Sequence, residues 1–328
     1  MTASSPHTIE QSFRKIEAAG AHGHGASRRR LLLKPDLDIF TEVRFPSREW
    51  ALSISSTEVL QDQEFLLTNG LTCQARNGSV EVVATPDTDR LLFCTLLADL
   101  IGHLDHAASA SATTVVRRLG AWRRMLGRGL PTGLTPEARL GLYGELLVLR
   151  EILLPALRDA AVASWSGPSG SPKDFELLAL AAEVKTVSRK DPDRCRISNE
   201  EQLDSDGLRY LYLIHQVAAT SSEGITLVEL VDEIREHPDV RGSLAQFEDS
   251  LLEVGWLDAH RDQYNHDRYV LIRRRCFEVR DGFPRMLPSD LPSGVSRVSY
   301  LVDLSSCGAH QVDEQTVREA IMETAEEE

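Results

Sequence analysis

The sequence has little cysteine, few aromatic residues and no long apolar run. Its five cysteines, Cys73, Cys94, Cys195, Cys276 and Cys307, are scattered along 328 residues. None has the close spacing of a zinc knot, and an odd, dispersed set makes no disulfide framework. They read as small buried side chains in a reducing compartment. No apolar stretch approaches the roughly 18 residues of a membrane span, and no basic, apolar, small-residue leader opens the chain. These absences lead to the expectation of a cytoplasmic protein without a membrane partner. Basic charge is also short: 36 Lys and Arg face 50 Asp and Glu, a net charge of −14, which excludes a surface coated for nucleic-acid binding. A local basic cleft stays compatible with that balance, because one groove's field depends on its own residues. The remaining composition, 42% hydrophobic and 26% charged, is that of a globular chain long enough for two or three domains.

Four regions follow from the pattern. Residues 1–30 read as a flexible tail with a short helix over 9–19 and an incidental His22/His24 pair. Residues 31–110 read as an N-terminal β-rich domain: EVRFP, WALSIS, EFLLTN, LTCQARN and SVEVVATP are split by turn residues, and an apolar helix follows over 91–105. Residues 111–220 read as the core. They open on a helix over 113–127 whose Arg117, Arg118, Arg123 and Arg124 suit an exposed face better than a phosphate-contacting one. A second helix, 136–154, has Thr135 as its cap and Pro136 as its first residue. Gly141 and Gly144 each weaken that helix by roughly 1 kcal/mol relative to alanine, which predicts close packing on a sheet. Strands DFELLAL and AAEVKTVS follow as a tight hairpin, then a charged loop RKDPDRCR, a helix capped by Ser198, and a strand RYLYLIHQV. Residues 221–328 read as a C-terminal α+β region. Two helices precede residues 256–279, taken as two strands joined by a polar turn and so winged-helix-like; a further strand and an acidic tail end the chain. The fold class is mixed α/β.

The segment PKDFELLALAAEVKTVSRK carries the chemistry. Glu183 and Lys185 are two apart on a strand and share a face, and Asp174 begins the partner strand of the hairpin. Two acids and an amine then meet at the end of a largely apolar sheet, and burying charge there requires a purpose. Glu145, inside the apolar run GLYGELLVL, adds a third acid, and the Val184 carbonyl a further oxygen. Hard oxygen donors beside an amine suit metal-assisted hydrolysis of a phosphodiester. A Glu-x-Lys pair alone is common as a solvated surface pair; the apolar surroundings separate this one from that background.

Pro172-Lys173-Asp174, eight residues, then Glu183-Val184-Lys185 resembles the motif of the PD-(D/E)XK nuclease superfamily, with Lys173 inserted. The order helix, strand, strand, helix, strand is similar to its core. The phrases GLYGELLVL, EVKT, ISNEEQL and GFPR resemble a bacterial PD-(D/E)XK family found in restriction and phage-defence gene clusters, over roughly residues 31–305. The resemblance implies a Mg²⁺-dependent DNA endonuclease in which Mn²⁺ can substitute for Mg²⁺. Asp174, Glu183, Glu145 and the Val184 carbonyl would bind metal, and Lys185 would position or deprotonate the attacking water. The expected DNA contacts are Gln202, Arg189, Lys190, Arg194 and Arg196, while Thr186 reads as strand filler rather than a phosphate contact. Arg273, Arg274 and Arg275 offer a second DNA contact or, preferably, a mixed exposed strand. Implied partners are DNA, a second copy forming a homodimer, or a defence complex with a helicase-like ATPase and a methyltransferase. The alternative is a catalytically silent DNA-binding or assembly subunit that keeps the nuclease fold; a repair nuclease would share the chemistry.

Overall fold

The computed structural model describes residues 5–20, 24–34, 36–106, 110–129, 133–188 and 193–327. The chain forms two compact units: residues 1–133 with 255–260, and residues 134–254 with 261–328. Among the described residues no helix is long and apolar enough to cross a membrane. All five cysteines are buried free thiols.

The first unit begins with α1 (Pro6–Gly20), followed by β1 (Gly25–Lys34), β2 (Leu37–Phe45), β3 (Glu49–Ser56), β4 (Gln63–Thr68), β5 (Leu71–Arg76) and β6 (Ser79–Ala84). The strands form one antiparallel sheet in the order β1-β2-β3-β6-β5-β4. Two helices, α2 (Arg90–His106) and α3 (Ala112–Arg128), complete the unit. Within the expected tail the short helix is present and longer, as α1, and residues 25–30 belong to β1. Ile9 and Phe13, one helical turn apart, are fully buried, and Phe13 stacks on Trp50 with ring centroids 4.6 Å apart. Arg118 is also not on an exposed face. It is buried and donates from Nε and Nη2 to Asp99, which accepts from Trp122 Nε1 as well.

The second unit opens with α4 (Pro136–Val148), capped by the Thr135 hydroxyl as expected. A π-helical turn over Leu149–Leu153 joins it to α5 (Leu154–Leu157). The helical path therefore passes Pro155, whose missing N–H falls where the regular ladder is already interrupted. The strands are β7 (Phe175–Glu176), β8 (Leu180–Ser188), β9 (Arg194–Ile197) and β10 (Tyr210–Thr226). Then come α6 (Leu227–Glu236), α7 (Leu244–Glu253), α8 (Arg261–Tyr264), β11 (Arg268–Glu278), β12 (Tyr300–Asp303), β13 (Gln311–Val312) and α9 (Glu314–Glu326). The central sheet has the order β13-β11-β10-β8-β7, with β8 parallel to β10 and the other pairs antiparallel; β9 and β12 form a separate ribbon.

Several elements differ from expectation. DFELLAL yields only two strand residues, because Leu177–Ala179 are used by the turn, where Leu177 N–H donates to Leu180 O. The loop RKDPDRCR ends in β9. The helix expected after it is one 3₁₀ turn, Glu200–Leu203, capped by the Asn199 side chain rather than Ser198; Asp204 then turns the chain by accepting from Asp206 N–H. Residues 256–279 make no hairpin: residues 258–264 are helical, and only β11 is a strand, pairing with β10 of the central sheet. The two helices α6 and α7 therefore stand without the wing that the winged-helix reading required, and the C-terminal residues complete the core sheet.

Both faces of the central sheet are covered, so β10 reads as the near-continuous apolar run of a doubly covered strand. One face packs on Cys195, Ile197, Leu203, Phe283, Val302 and Leu304 of the ribbon and its flanks. The other meets α4 and α9. Gly144 sets the approach of α4. A Cβ at this position would overlap the Thr186 hydroxyl and lie 2.8 Å from Thr186 Cβ. Gly141 has open space at its Cβ, so only one of the two glycines is needed for packing. Gln216, fully buried on β10, donates from Nε2 to Gly144 O at 2.9 Å. Its Oε1 accepts from Arg274, which also donates to Glu151 and Glu314. Arg274 is thus a buried hub holding the helices to the sheet, not a DNA contact on an exposed strand. Gly144→Ala is expected to destabilise the unit by about 1–3 kcal/mol, and Arg274→Ala by about 3–5 kcal/mol, measured as shifts in denaturant midpoint. Wild-type midpoints in both variants would show that neither contact carries the packing.

Candidate active site

The site forms where β7 ends and β8 continues. β7 covers only Ala181 and Ala182 of β8, so among the described residues no strand lies beside that side of β8 from Glu183 onward. The Val184 N–H points to this open edge, and Asp174 Oδ2 accepts it at 2.7 Å. The N–H and C=O of one strand residue project to the same side, so the Val184 carbonyl faces the same edge. Asp174 is itself fixed: its carbonyl accepts from the Ser166 and Gly167 N–H groups at 2.9 and 3.0 Å. Lys173, the residue inserted into the motif, is buried and donates from Nζ to Glu201 O at 3.0 Å. The insertion therefore anchors the following 3₁₀ turn and leaves Asp174 at the edge.

Glu183 and Lys185 share one face of β8, as their spacing requires. Glu183 is 1% exposed, and Lys185 Nζ lies 2.7 Å from its Oε1. The two form an ion pair, and Glu183 has no other hydrogen-bond partner among the described residues. Glu145 follows Gly144 on α4, and its Oε2 accepts from Trp165 Nε1 at 2.9 Å.

Three acids around one lysine make a strained electrostatic set. Burial raises the Glu145 carboxyl to about 8, reinforced by the Asp174 charge and opposed by Trp165 and Lys185. Some of the Glu145 surface reaches solvent, yet protein surrounds it closely enough to weaken solvation of its charge. Burial likewise pushes Glu183 well above the usual carboxylate range, with Asp174 adding to the effect. Asp174 is raised by burial against the pull of Lys185 and the Val184 N–H. Burial works against the Lys185 charge, but Glu183 and Asp174 outweigh it, and its net shift is upward.

The donor set fits a hard divalent cation: three carboxylates with excess negative charge and a carbonyl at an open edge. Among the described residues no group of three His, Cys, Asp or Glu side chains is placed to hold a metal by itself. A cation here would take one or two carboxylates and complete its shell with the Val184 carbonyl, water and substrate oxygen, the usual coordination of Mg²⁺.

The expected peripheral residues separate into groups. Gln202 Oε1 accepts from Ser198 N–H at 2.7 Å and so closes its own turn. Arg196 donates to Ser299 Oγ, and Arg194 is exposed on β9. Arg189 and Lys190 lie outside the described residues. Thr186 faces α4 on the opposite side of the sheet from Lys185. Arg273 and Arg275 both donate to Asp193 Oδ1, at 2.9 and 2.8 Å. Sequence reasoning passed over Trp165, Asp193, His215 and Gln216. The available signal was the His-Gln pair interrupting the apolar run of β10.

Residues 9–305 match the model of the family DUF4420, described as "Putative PD-(D/E)XK family member". Comparison with the curated proteins and with the solved structures returns no match. The family match spans most of both units and includes Glu145, Asp174, Glu183 and Lys185. The chain belongs to the DUF4420 family, a PD-(D/E)XK group.

Proposed function

We propose that the chain is a Mg²⁺-dependent DNA endonuclease, served also by Mn²⁺, that acts as the nuclease of a bacterial restriction-modification or phage-defence system. The observation that carries the nuclease reading is the open edge of β8. There Asp174 holds the Val184 N–H, while the buried Glu183 carboxylate has Lys185 Nζ 2.7 Å from its Oε1 and no other hydrogen-bond donor among the described residues. The defence role is supported by the resemblance of the motif phrases alone.

In this reading Asp174, Glu183 and the Val184 carbonyl hold the cation, with Glu145 as a further ligand or a water-orienting group. The bound cation supplies Lewis-acid polarisation of the scissile phosphate. Lys185, kept as an ammonium by its acidic neighbours, positions the attacking water and offsets charge developing on the phosphate oxygens. That state favours positioning over service as the base. Trp165 Nε1 holds one oxygen of Glu145, which leaves the other for a water or the cation.

Wild-type protein is expected to nick or linearise supercoiled plasmid in Mg²⁺ or Mn²⁺ and to stop in EDTA. Asp174→Asn, Glu183→Gln and Lys185→Met are each expected to slow cutting by roughly 100-fold or more while the protein still melts cooperatively. Equal cutting by wild type and Asp174→Asn would defeat the assignment. No cutting, together with no calorimetric binding of Mn²⁺ in the presence of DNA, would favour a silent DNA-binding or assembly subunit.

Stability should also depend on pH in a defined direction. The folded-state value of Glu145 lies above its ordinary value of 4.5, so folding favours its protonated form. The resulting penalty is absent below about pH 4.5, grows as pH rises and levels off above about pH 8. In EDTA the melting temperature of wild type should therefore fall between pH 6 and pH 9 more than that of Glu145→Gln, as followed by circular dichroism. Parallel curves would remove Glu145 from the set of strained acids.

A further inference from the structure

The row that starts at Lys185 continues across the sheet. Register pairs Lys185 with His215 on β10, and His215 with Arg275 on β11. Directly paired residues share a face, so three nitrogen-bearing side chains stand side by side on the face that carries Glu183. At the ordinary strand spacing of about 4.8 Å the row spans about 10 Å of backbone. One step along the strands, Val187 pairs with Val217 and Val217 with Arg273, which adds a second arginine to that face.

The polar atoms of this row are unusually unused. Among the described residues, neither ring nitrogen of His215 nor Nε of Arg275 has a hydrogen-bond partner, and the Glu183 oxygens have none besides Lys185. His215 is only 1% exposed. Buried polar atoms without partners are rare in native proteins, and a run of them on one face marks a place that a ligand or water completes. Burial, with the charges of Arg275 and Arg273, holds His215 down at about 4. The ring is therefore neutral at physiological pH, one nitrogen a donor and the other an acceptor.

The guanidinium ends supply a separate observation. Arg273 Nη2 and Arg275 Nη2 converge on one atom, Asp193 Oδ1, at 2.9 and 2.8 Å. Two guanidiniums on one anionic oxygen is an arrangement that suits phosphate. The Asp193 side chain is about half exposed, at 46%, so it can leave that position more readily than a buried partner could.

We infer that Arg273, Arg275 and His215 form a phosphate subsite for the phosphodiester next to the one cut, with the Asp193 carboxylate as its internal stand-in. The identity of that phosphate rests on the nuclease reading; the capacity to hold a phosphate does not. An arriving strand displaces Asp193 from the two arginines, and His215 donates to a phosphate oxygen beside Lys185. The acidic chain thus gains a local anion track.

The test is fluorescence anisotropy with a labelled DNA duplex in Ca²⁺, over a series of salt concentrations, beside plasmid cutting in Mg²⁺. Arg275→Gln and Arg273→Gln are each expected to weaken binding roughly tenfold, whatever the sequence, and to reduce the slope of log K against log salt by about 1. Asp193→Asn is expected to tighten binding severalfold, a gain that misfolding cannot produce. His215→Gln, which still donates and accepts, should bind like wild type, and His215→Leu should not. Unchanged affinity in Asp193→Asn, with unchanged slopes in cooperatively melting arginine variants, overturns the subsite. If that protein cuts DNA, the nuclease reading survives alone. If the expected changes appear without any cutting or metal binding, the phosphate subsite stands and the nuclease reading falls.

Discussion

The N–H of Val184 has no strand to receive it, and the arrangement of the site depends on that. A partner strand two residues longer would take this group into the sheet ladder and cover the edge. Because β7 begins only at Phe175, opposite Ala182, the acceptor is a side chain, Asp174 Oδ2. One hydrogen bond then performs two tasks. It satisfies a strand donor that would be costly to bury unpaired, and it fixes a carboxylate beside the carbonyl of the same residue. The turn at Leu177–Ala179 and the contacts of Ser166 and Gly167 with the Asp174 carbonyl hold the short strand in place.

The two faces of the sheet treat charge differently. On the α4 side, Arg274 is matched by Glu151, Glu314 and Gln216, a set in which charge and geometry are satisfied. On the other side, Glu183 has one lysine and no other donor, and the His215 ring has no hydrogen-bond partner, among the described residues. A stable fold can keep the second set because the first holds the sheet and helices together. Electrostatic strain is concentrated where chemistry is proposed and is absent where packing is needed, a division that functional sites commonly require.

What was legible in the sequence was local. Glu183 and Lys185 share a face because strand side chains alternate, and Thr135-Pro136 starts a helix because of its capping chemistry. Both follow from neighbours in the chain. Glu145 stood out as an acid inside an apolar helix, and Gly144 as a costly residue there; Gly141 looked the same and is not needed for contact. The parts that were hidden depend on distant partners. Arg273, Arg274 and Arg275 have the same chemistry in sequence, and only the pairing of β11 with β10 sends Arg274 into the interior and its neighbours to the rim. The wing expected from residues 256–279 failed for the same reason: a single strand joined an existing sheet instead of folding back on itself. At the N-terminus, the Gly- and His-rich stretch obscured Ile9 and Phe13, whose one-turn spacing is enough to anchor α1.

His215 and Gln216 are adjacent on β10 and belong to opposite halves of this design. Gln216 ties the helix to the sheet through the Gly144 carbonyl, and His215 stands in the row beside Lys185. Strand pairing has a period of two, so a slip of one residue would exchange the two side chains between faces. The helix would lose its tether and the polar row would receive an amide in place of an imidazole, in the same event. The frame of β10 is therefore a single point of failure: a one-residue insertion between Tyr210 and Leu213 would be far more damaging than most substitutions there, because it changes the address of every side chain beyond it at once.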